Sequence, residues 1–288
     1  MFLKIISGYN LVAIFVAVLL LFSGFFALAG RLSSLSNGEI KISHSVIGTI
    51  IGQGSNNILP AKLGEVVKVL YISKHTSQKA SWVFGLVFWE RFFDLNILLI
   101  CGLLIFFSVM PELQFGYFIA LIIVIWLVLF SIKIWPFVIT KIVNLIPFRK
   151  LRGFILELFE HLGRGLSWSV FLKALTWTLI IWIQYIAQVA VVLLWAASLE
   201  LPLTAVLVIF VVSGIGLNLA ASPGGIGVYE AAIVVSASWY GVAKEEALAA
   251  AIVLHVVQYA PTTLLAFYFM FRNGMSLSVI KAQLKNNN

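Results

Sequence analysis

Residues Ser55 to Lys68 read SNNILPAKLGEVVK, and the fold turns on how this stretch is understood. Apolar sequence from Val46 to Ile51 runs into Gln53, Asn56, Asn57 and Pro60, then Lys62, Glu65 and Lys68, before apolar residues resume. Polar backbone and charge are costly at bilayer depth and persist where they line a protein-enclosed or watery cavity. Two readings stand: a broken helix at a candidate binding site, or a loop between two short interfacial helices.

The rest of the chain narrows the choice. Of its 288 residues, 62% are hydrophobic and 10% charged, with a mean hydropathy of +1.08, a composition that excludes a soluble globular protein. Apolar runs near the length of a hydrocarbon core recur, so the expected class is an all-α polytopic membrane protein forming a single transmembrane domain over 1–288. The net charge of +8 sits in short segments flanking apolar spans, which points to an anionic lipid surface and away from nucleic acid. Cys101 stands alone, so neither a disulfide framework nor a cysteine metal site is expected. Lys4, the run from Leu11 to Gly30 and Ala27-Leu28-Ala29 imitate a cleavable signal; the length of the run and its end at Arg31 favour a retained span.

Five full spans are expected at about 10–30, 82–109, 115–139, 168–197 and 245–271, helical because lipid satisfies no open backbone. Two further apolar regions, 44–73 and 203–240, are interrupted by PAKLG and SPGGIG and read as re-entrant helical hairpins. With the N-terminus outside and the C-terminus cytoplasmic, Arg31, Lys41, Lys74, Lys79, the basic run from Lys133 to Lys173, Arg272, Lys281 and Lys285 fall inside. Lys4 and Lys244 fall outside, as do Glu112, Glu200, Glu245 and Glu246. On this topology the halves 10–110 and 168–272 are inverted copies in outline. Pro60 to Gly64 and Pro223 to Gly227 share a Pro-x-x-x-Gly spacing, with Glu65 and Glu230 close behind. Inverted repeats with broken helices meeting near the midplane are a transporter arrangement. Between the halves, 111–167 carries the third span and then an amphipathic stretch, Thr140 to Gly165, expected on the cytoplasmic leaflet. A short polar tail, 273–288, follows.

The densest intramembrane charge is WERFFDL at 89–95, where Glu90 and Asp94 share a helical face beside Arg91. One reading makes Arg91 a clamp pairing with Glu90, Asp94 or Glu65; the other has Lys62, Lys68 and Arg91 present donors to a phosphate while the carboxylates orient them. No nucleophile, histidine cluster or metal-spaced set accompanies them, so catalysis, a metal and a cofactor are not expected. In Ser222-Pro223-Gly224-Gly225-Ile226-Gly227, backbone N–H groups at a helix start attract anions, or the glycines serve only the geometry of the tip. Asn56, Asn57 and Asn218 precede the two tips and suit freed backbone groups. His255, Gln258 and Tyr259 lie on one face of the last span, as Gln184 and Gln188 do in the fourth; interhelical hydrogen bonding is the default, with His255 also a candidate proton relay.

LPAKLGEVVKVL at 59–70, WERFFDL at 89–95 and SPGGIGVYEAA at 222–232 together resemble the transmembrane region of lysylphosphatidylglycerol synthases and related flippase-like integral membrane proteins, over nearly the whole chain. Position by position, the family motifs fall on Pro60, Lys62, Gly64, Glu65 and Lys68, on Glu90, Arg91 and Asp94, and on Pro223, Gly224, Gly225, Gly227 and Glu230. The family usually has arginine where this chain has Lys62 and Lys68. The resemblance implies movement of a lipid between the leaflets of a bacterial or archaeal cytoplasmic membrane: an anionic lipid, an aminoacyl-phospholipid or a polyprenyl-linked glycan. It places the synthase activity in a soluble aminoacyl-transferase domain not expected here, so no enzyme activity is expected. The assigned roles are headgroup binding for Lys62, Lys68, Arg91, Gly224, Gly225 and Gly227; a polar cavity or coupling for Asn56, Asn57, Glu65, Glu90, Asp94, Asn218, Glu230, His255 and Gln258; and hairpin geometry for Pro60, Gly64 and Pro223. The alternative is a non-translocating membrane subunit or lipid-modifying transferase core, working with a separate glycosyltransferase or other lipid-modifying enzyme.

Overall fold

The computed structural model describes residues 5, 7–109, 116–220 and 222–275, so Lys4, Glu112, Lys281, Lys285 and the end of the polar tail lie outside the described residues. Among the described residues the chain is helical and has no strand. The helices are α1 (Leu11–Leu35), α2 (Ile42–Ile58), α3 (Gly64–Thr76), α4 (Ala80–Val109), α5 (Gly116–Ile134), α6 (Pro136–Val143), α7 (Arg149–Arg164), α8 (Trp168–Ala190), α9 (Leu203–Leu219), α10 (Val228–Ser238) and α11 (Lys244–Arg272). Short 3-10 turns, Pro60–Lys62 and Pro223–Gly225, join α2 to α3 and α9 to α10, and α8 continues as a π-helical segment, Val191–Ala196.

Local chemistry explains the boundaries. Asn10 caps α1, its side-chain oxygen accepting from Val12 and Ala13 N–H at 2.9 and 3.2 Å. Pro60, Pro136 and Pro223 each open a helical turn, where a missing N–H costs nothing. At Trp135 the expected span 115–139 is broken: α5 and α6 meet at 87°, because Pro136 offers no N–H to continue the ladder. The amphipathic stretch is likewise two pieces, α6 and α7. Among the described residues three helices, Leu11–Leu35, Trp168–Ala196 and Lys244–Arg272, are long and apolar enough to cross a membrane, and the bent α5–α6 pair makes a fourth if it is one span. The chain is therefore a helical membrane protein with three to four candidate spans, and its outer faces carry large exposed apolar side chains such as Phe15, Leu127, Leu264 and Phe271. Helix α4 has the length of a span, 30 residues, and holds Glu90, Arg91 and Asp94 within it.

Both interrupted regions are helical hairpins. A Cβ on Gly48 would meet Tyr71 and Ile72, one on Gly52 would meet Lys68, and one on Gly64 would meet the Gly52 carbonyl and Asn56, a pattern that runs the α2 and α3 arms antiparallel. Glycine at 52 and 64 is what lets these backbones approach. Gly216 meets Val228 and Ala232 in the same way across α9 and α10. Each hairpin has its own apolar core. Leu32, Ile51, Val67, Ile72 and Val87 pack around the first, and Ala13, Val192, Ile209, Ile233 and Leu254 around the second. Helices α1, α8 and α11 run past both cores and frame the space between them.

Candidate functional site

That space is a cavity of about 550 Å³. It is walled by the middles of α1, α8 and α11, by α4, and by the two hairpin tips, which touch one another. The tips meet because Lys62 Nζ donates to Asn218 Oδ1 at 2.6 Å. Lys62 takes this position from a left-handed backbone, φ 54°, a conformation that costs a non-glycine residue about 1–2 kcal/mol. On the opposite side the Tyr259 hydroxyl donates to the Asn57 carbonyl, and Asn57 Nδ2 donates to Thr263 Oγ1 at 2.8 Å. Asn56 Oδ1 accepts from the Gly64 N–H at 2.8 Å, satisfying an open donor at the start of α3. Both asparagines of the first tip thus support backbone or neighbouring helix, as their place before a break suggests.

The charges form an alternating chain across α3, α4 and α1. Lys68 Nζ donates to Glu90 Oε2 at 2.7 Å, and Glu90 Oε1 lies 3.9 Å from Arg31 Nε. Arg31 Nη1 and Nη2 donate to the two Asp94 oxygens at 2.6 and 3.1 Å. Arg91 closes the series, 3.4 Å from Asp94 and 3.3 Å from Glu65. Lys68, Glu90 and Arg31 are buried, whereas the Arg91 side chain is 48% exposed and lines the cavity with Lys62, Glu65 and Asp94. Spacing of four on α4 puts Glu90 and Asp94 on one face. The fork of Arg31 fits the Asp94 carboxylate in the bidentate geometry that suits arginine.

The structure brings together Asn56, Asn57, Lys62, Glu65, Arg91, Asp94, Asn218, Gly224, Gly225, His255 and Gln258 around one cavity. It moves others out. Lys68, expected at the headgroup, is 3% exposed and spent on Glu90, which is itself fully buried; burial of a charge demands a partner, and each supplies the other's. Gly227 and Glu230 are off the wall: the Gly227 N–H, expected to attract an anion, donates to Glu230 Oε2 at 2.8 Å. Gly225 N–H is likewise committed, to the Ser222 carbonyl at 3.0 Å. Gly224 has φ 63° and presses on the Tyr259 ring, where no Cβ fits, so glycine here serves the geometry of the tip. Glu230 reaches the cavity through His255, whose Nδ1 lies 2.5 Å from Glu230 Oε1. Pro60, Pro223 and Gly64 shape the tips. Among the described residues no group of His, Cys, Asp and Glu has metal-site geometry.

Sequence reasoning missed Arg31, counted there as a loop charge beyond the first span. Helix α1 continues to Leu35 and holds Arg31 inside the bundle at 0% exposure. The polar residues Ser33, Ser34 and Ser36 that follow it mimic an interface, and the signal that was available is the excess of carboxylates over arginines in WERFFDL. Gln188 is buried and bonds the Ala17 carbonyl at 2.9 Å, while Gln258 donates to it at 3.1 Å, the interhelical role expected of such pairs.

An all-helical membrane protein with a charged cavity closed by two touching hairpin tips is the class that fold and site define. The chain belongs to the lysylphosphatidylglycerol synthase TM region family, whose model matches residues 2–266. No curated protein and no solved structure matches the chain. Membership gives it a membrane lipid-related role.

Proposed function

We propose that this chain is a lipid translocase that moves a lipid with an anionic headgroup between the leaflets of the cytoplasmic membrane. The observation that carries this reading is the cavity between the hairpin tips, where Arg91 stands half-exposed and Lys62 makes no ion pair among the described residues. On the α1, α3 and α4 side of the cavity four cations, Arg31, Lys62, Lys68 and Arg91, stand with three carboxylates, Glu65, Glu90 and Asp94, so that side holds one positive charge in excess among the described residues, while Glu230 lies behind His255 on the other. A phosphate is the ligand that this excess and these donors suit. Leu95 and Leu98 follow Arg91 and Asp94 along α4, and Leu217 precedes Asn218 on α9, so apolar wall continues the polar one as an acyl chain requires.

The topology under this reading has five crossings, the N-terminus outside, and the two hairpins re-entrant and related by inverted repetition. The contact of their tips supports it, since inverted broken helices meet at a midplane substrate site. Arg91 and Lys62 hold phosphate, Glu65 and Asp94 set the Arg91 fork, and the His255–Glu230 pair is available for coupling. The protein acts without a cofactor and is not itself an enzyme; its partners are membrane lipids and, where the lipid is modified, the enzyme that modifies it. The test is transfer of headgroup-labelled phosphatidylglycerol and of a polyprenyl-phosphate sugar in liposomes containing only this protein, with and without an ion gradient. Transfer above protein-free vesicles is expected, and its absence under every condition sinks the proposal.

A further inference from the structure

Among the described residues three glycines line the cavity, and packing explains two of them. A Cβ on Gly224 would strike the Tyr259 ring, and one on Gly225 would strike the Leu217 side chain. Gly214 is different. It lies inside α9 on helical backbone, two residues before Gly216, whose Cβ position is met by Ala232 across the hairpin, yet a Cβ on Gly214 would meet nothing within 4 Å. Glycine inside a helix gives up stability relative to alanine, and in membrane helices it serves where a neighbouring backbone must come close. No protein neighbour comes close at Gly214, so its missing side chain keeps a stretch of cavity wall open.

The surroundings decide what that opening admits. Leu95 on α4, 40% exposed, and Leu217 on α9, 36% exposed, are the most open apolar side chains of the cavity among the described residues, which places its widest gap between these two helices. Along one direction Leu98 and Phe210 close the gap by packing on Leu28, Ile181 and Trp182; along the other, Lys62 bonds Asn218 and Arg91 pairs with Glu65. The polar groups beside Gly214 are committed: its carbonyl accepts from Asn218 Nδ2 at 2.9 Å, and the Ser213 hydroxyl donates to the Phe210 carbonyl at 3.0 Å. With those groups spent and leucine on both flanks, hydrocarbon is what fits. Gly214 also stands one helical turn, about 6 Å, from Asn218, so a chain lying there begins next to the cations. Resting on the translocase reading, we infer that Gly214 admits the hydrocarbon chain of the bound lipid. The chain leaves the cavity between α4 and α9, past Leu95 and Leu217, while the phosphate stays with Lys62 and Arg91.

The experiment gives the purified full chain, in maltoside micelles, a phosphatidylglycerol whose acyl chains carry a diazirine near the carbonyl. After irradiation and digestion, mass spectrometry locates the labelled residues. Labels are expected on Leu95, Gly214 and Leu217; labels confined to outward-facing side chains such as Leu127 and Phe271, or no label, overturn the inference. Diacylglycerol with the same chains lacks the phosphate and should label the three positions roughly tenfold less, the size of one charge-assisted hydrogen bond. Equal labelling by diacylglycerol overturns the inference, because the chain would then enter without its headgroup. Gly214→Trp fills the open space and should cut labelling of Leu95 and Leu217 roughly tenfold, as about two methylenes no longer buried imply, with an unchanged unfolding midpoint. Gly153→Trp is the control: Gly153 lies within α7 with an equally open Cβ position but off the cavity, and labelling should stay as it was. Undiminished labelling in Gly214→Trp, an equal fall in Gly153→Trp, or a lowered midpoint for Gly214→Trp each counts against the inference. Labelling is read without transfer. A chain placed as stated in a protein that moves no lipid sinks the translocase reading alone, while transfer with the chain labelled elsewhere sinks this inference alone.

Discussion

Replacing Arg31 by methionine removes the centre of the ion chain while filling much of the same volume, so the loss is electrostatic and not a cavity. Arg31 is fully buried, donates twice to Asp94 at 2.6 and 3.1 Å and once to Thr178 at 3.3 Å, and lies 3.9 Å from Glu90. Removing one partner of a buried pair costs about 3–5 kcal/mol because the other is left uncompensated. Here Asp94 retains Arg91 at 3.4 Å and Glu90 retains Lys68 at 2.7 Å, which places the cost near the lower end, about 3 kcal/mol. At roughly 2–4 °C per kcal/mol for a chain of this size, the unfolding midpoint should fall by about 6–12 °C. Tryptophan fluorescence in one detergent at one scan rate reads it, since such midpoints shift with scan rate. Arg31→Lys keeps the charge and loses the fork, and should fall between the two. Adding Asp94→Asn to Arg31→Met should recover part of the loss by removing the stranded carboxylate. A midpoint for Arg31→Met within about 2 °C of the wild type would refute the view that this chain of charges holds α1 to α4.

Arg91→Ala should abolish headgroup binding and transfer with a monodisperse elution profile retained, because its half-exposed side chain contributes little to stability; loss of folding instead would make Arg91 a clamp. Lys62→Gly relieves a left-handed backbone by about 1 kcal/mol and deletes the ammonium, so the midpoint should hold or rise while phospholipid binding drops, both readable on one preparation. Gly64→Ala drives a methyl into the Gly52 carbonyl and Asn56 and should cost about 1–3 kcal/mol, seen as a lower midpoint; no change would mean that the α2–α3 hairpin is looser than its glycines indicate. On the exposed face, hydrogen bonds from Lys79 and Ser81 hold the Glu157 carboxyl below its ordinary value, and Glu157 raises Lys79. A depressed carboxyl stabilises above its unfolded pKa and loses that contribution as pH falls through the folded value, so the α7–α4 contact should persist at neutral pH and open in acid. Amide exchange of Arg149–Arg164 against pH checks this, with Glu157→Gln expected to flatten the profile.

Much of the architecture was legible because its causes are local. Hydropathy and the need to satisfy backbone in lipid depend on a residue's immediate neighbours, so the chain announces a helical membrane protein, and Pro60 and Pro223 mark where two helices stop and turn. Asn56 stood beside the break that it stabilises, and its capping role followed from that position. Trp135-Pro136 was equally local, yet the apolar run across it concealed a bend of 87°.

Pairing is another matter. Glu90 finds Lys68 across 22 positions and Asp94 finds Arg31 across 63, and nothing near either residue names its partner. The sequence alone determined that charges of both signs would lie together within apolar helices around the two hairpins. Only the tertiary structure decided that Arg31 and Lys68 neutralise the buried carboxylates while Arg91 and Lys62 are left at the cavity. The physical reason is that the cost of a buried charge can be read from its type and surroundings in the chain, whereas its compensation depends on distances of a few ångströms that exist only once the helices have packed.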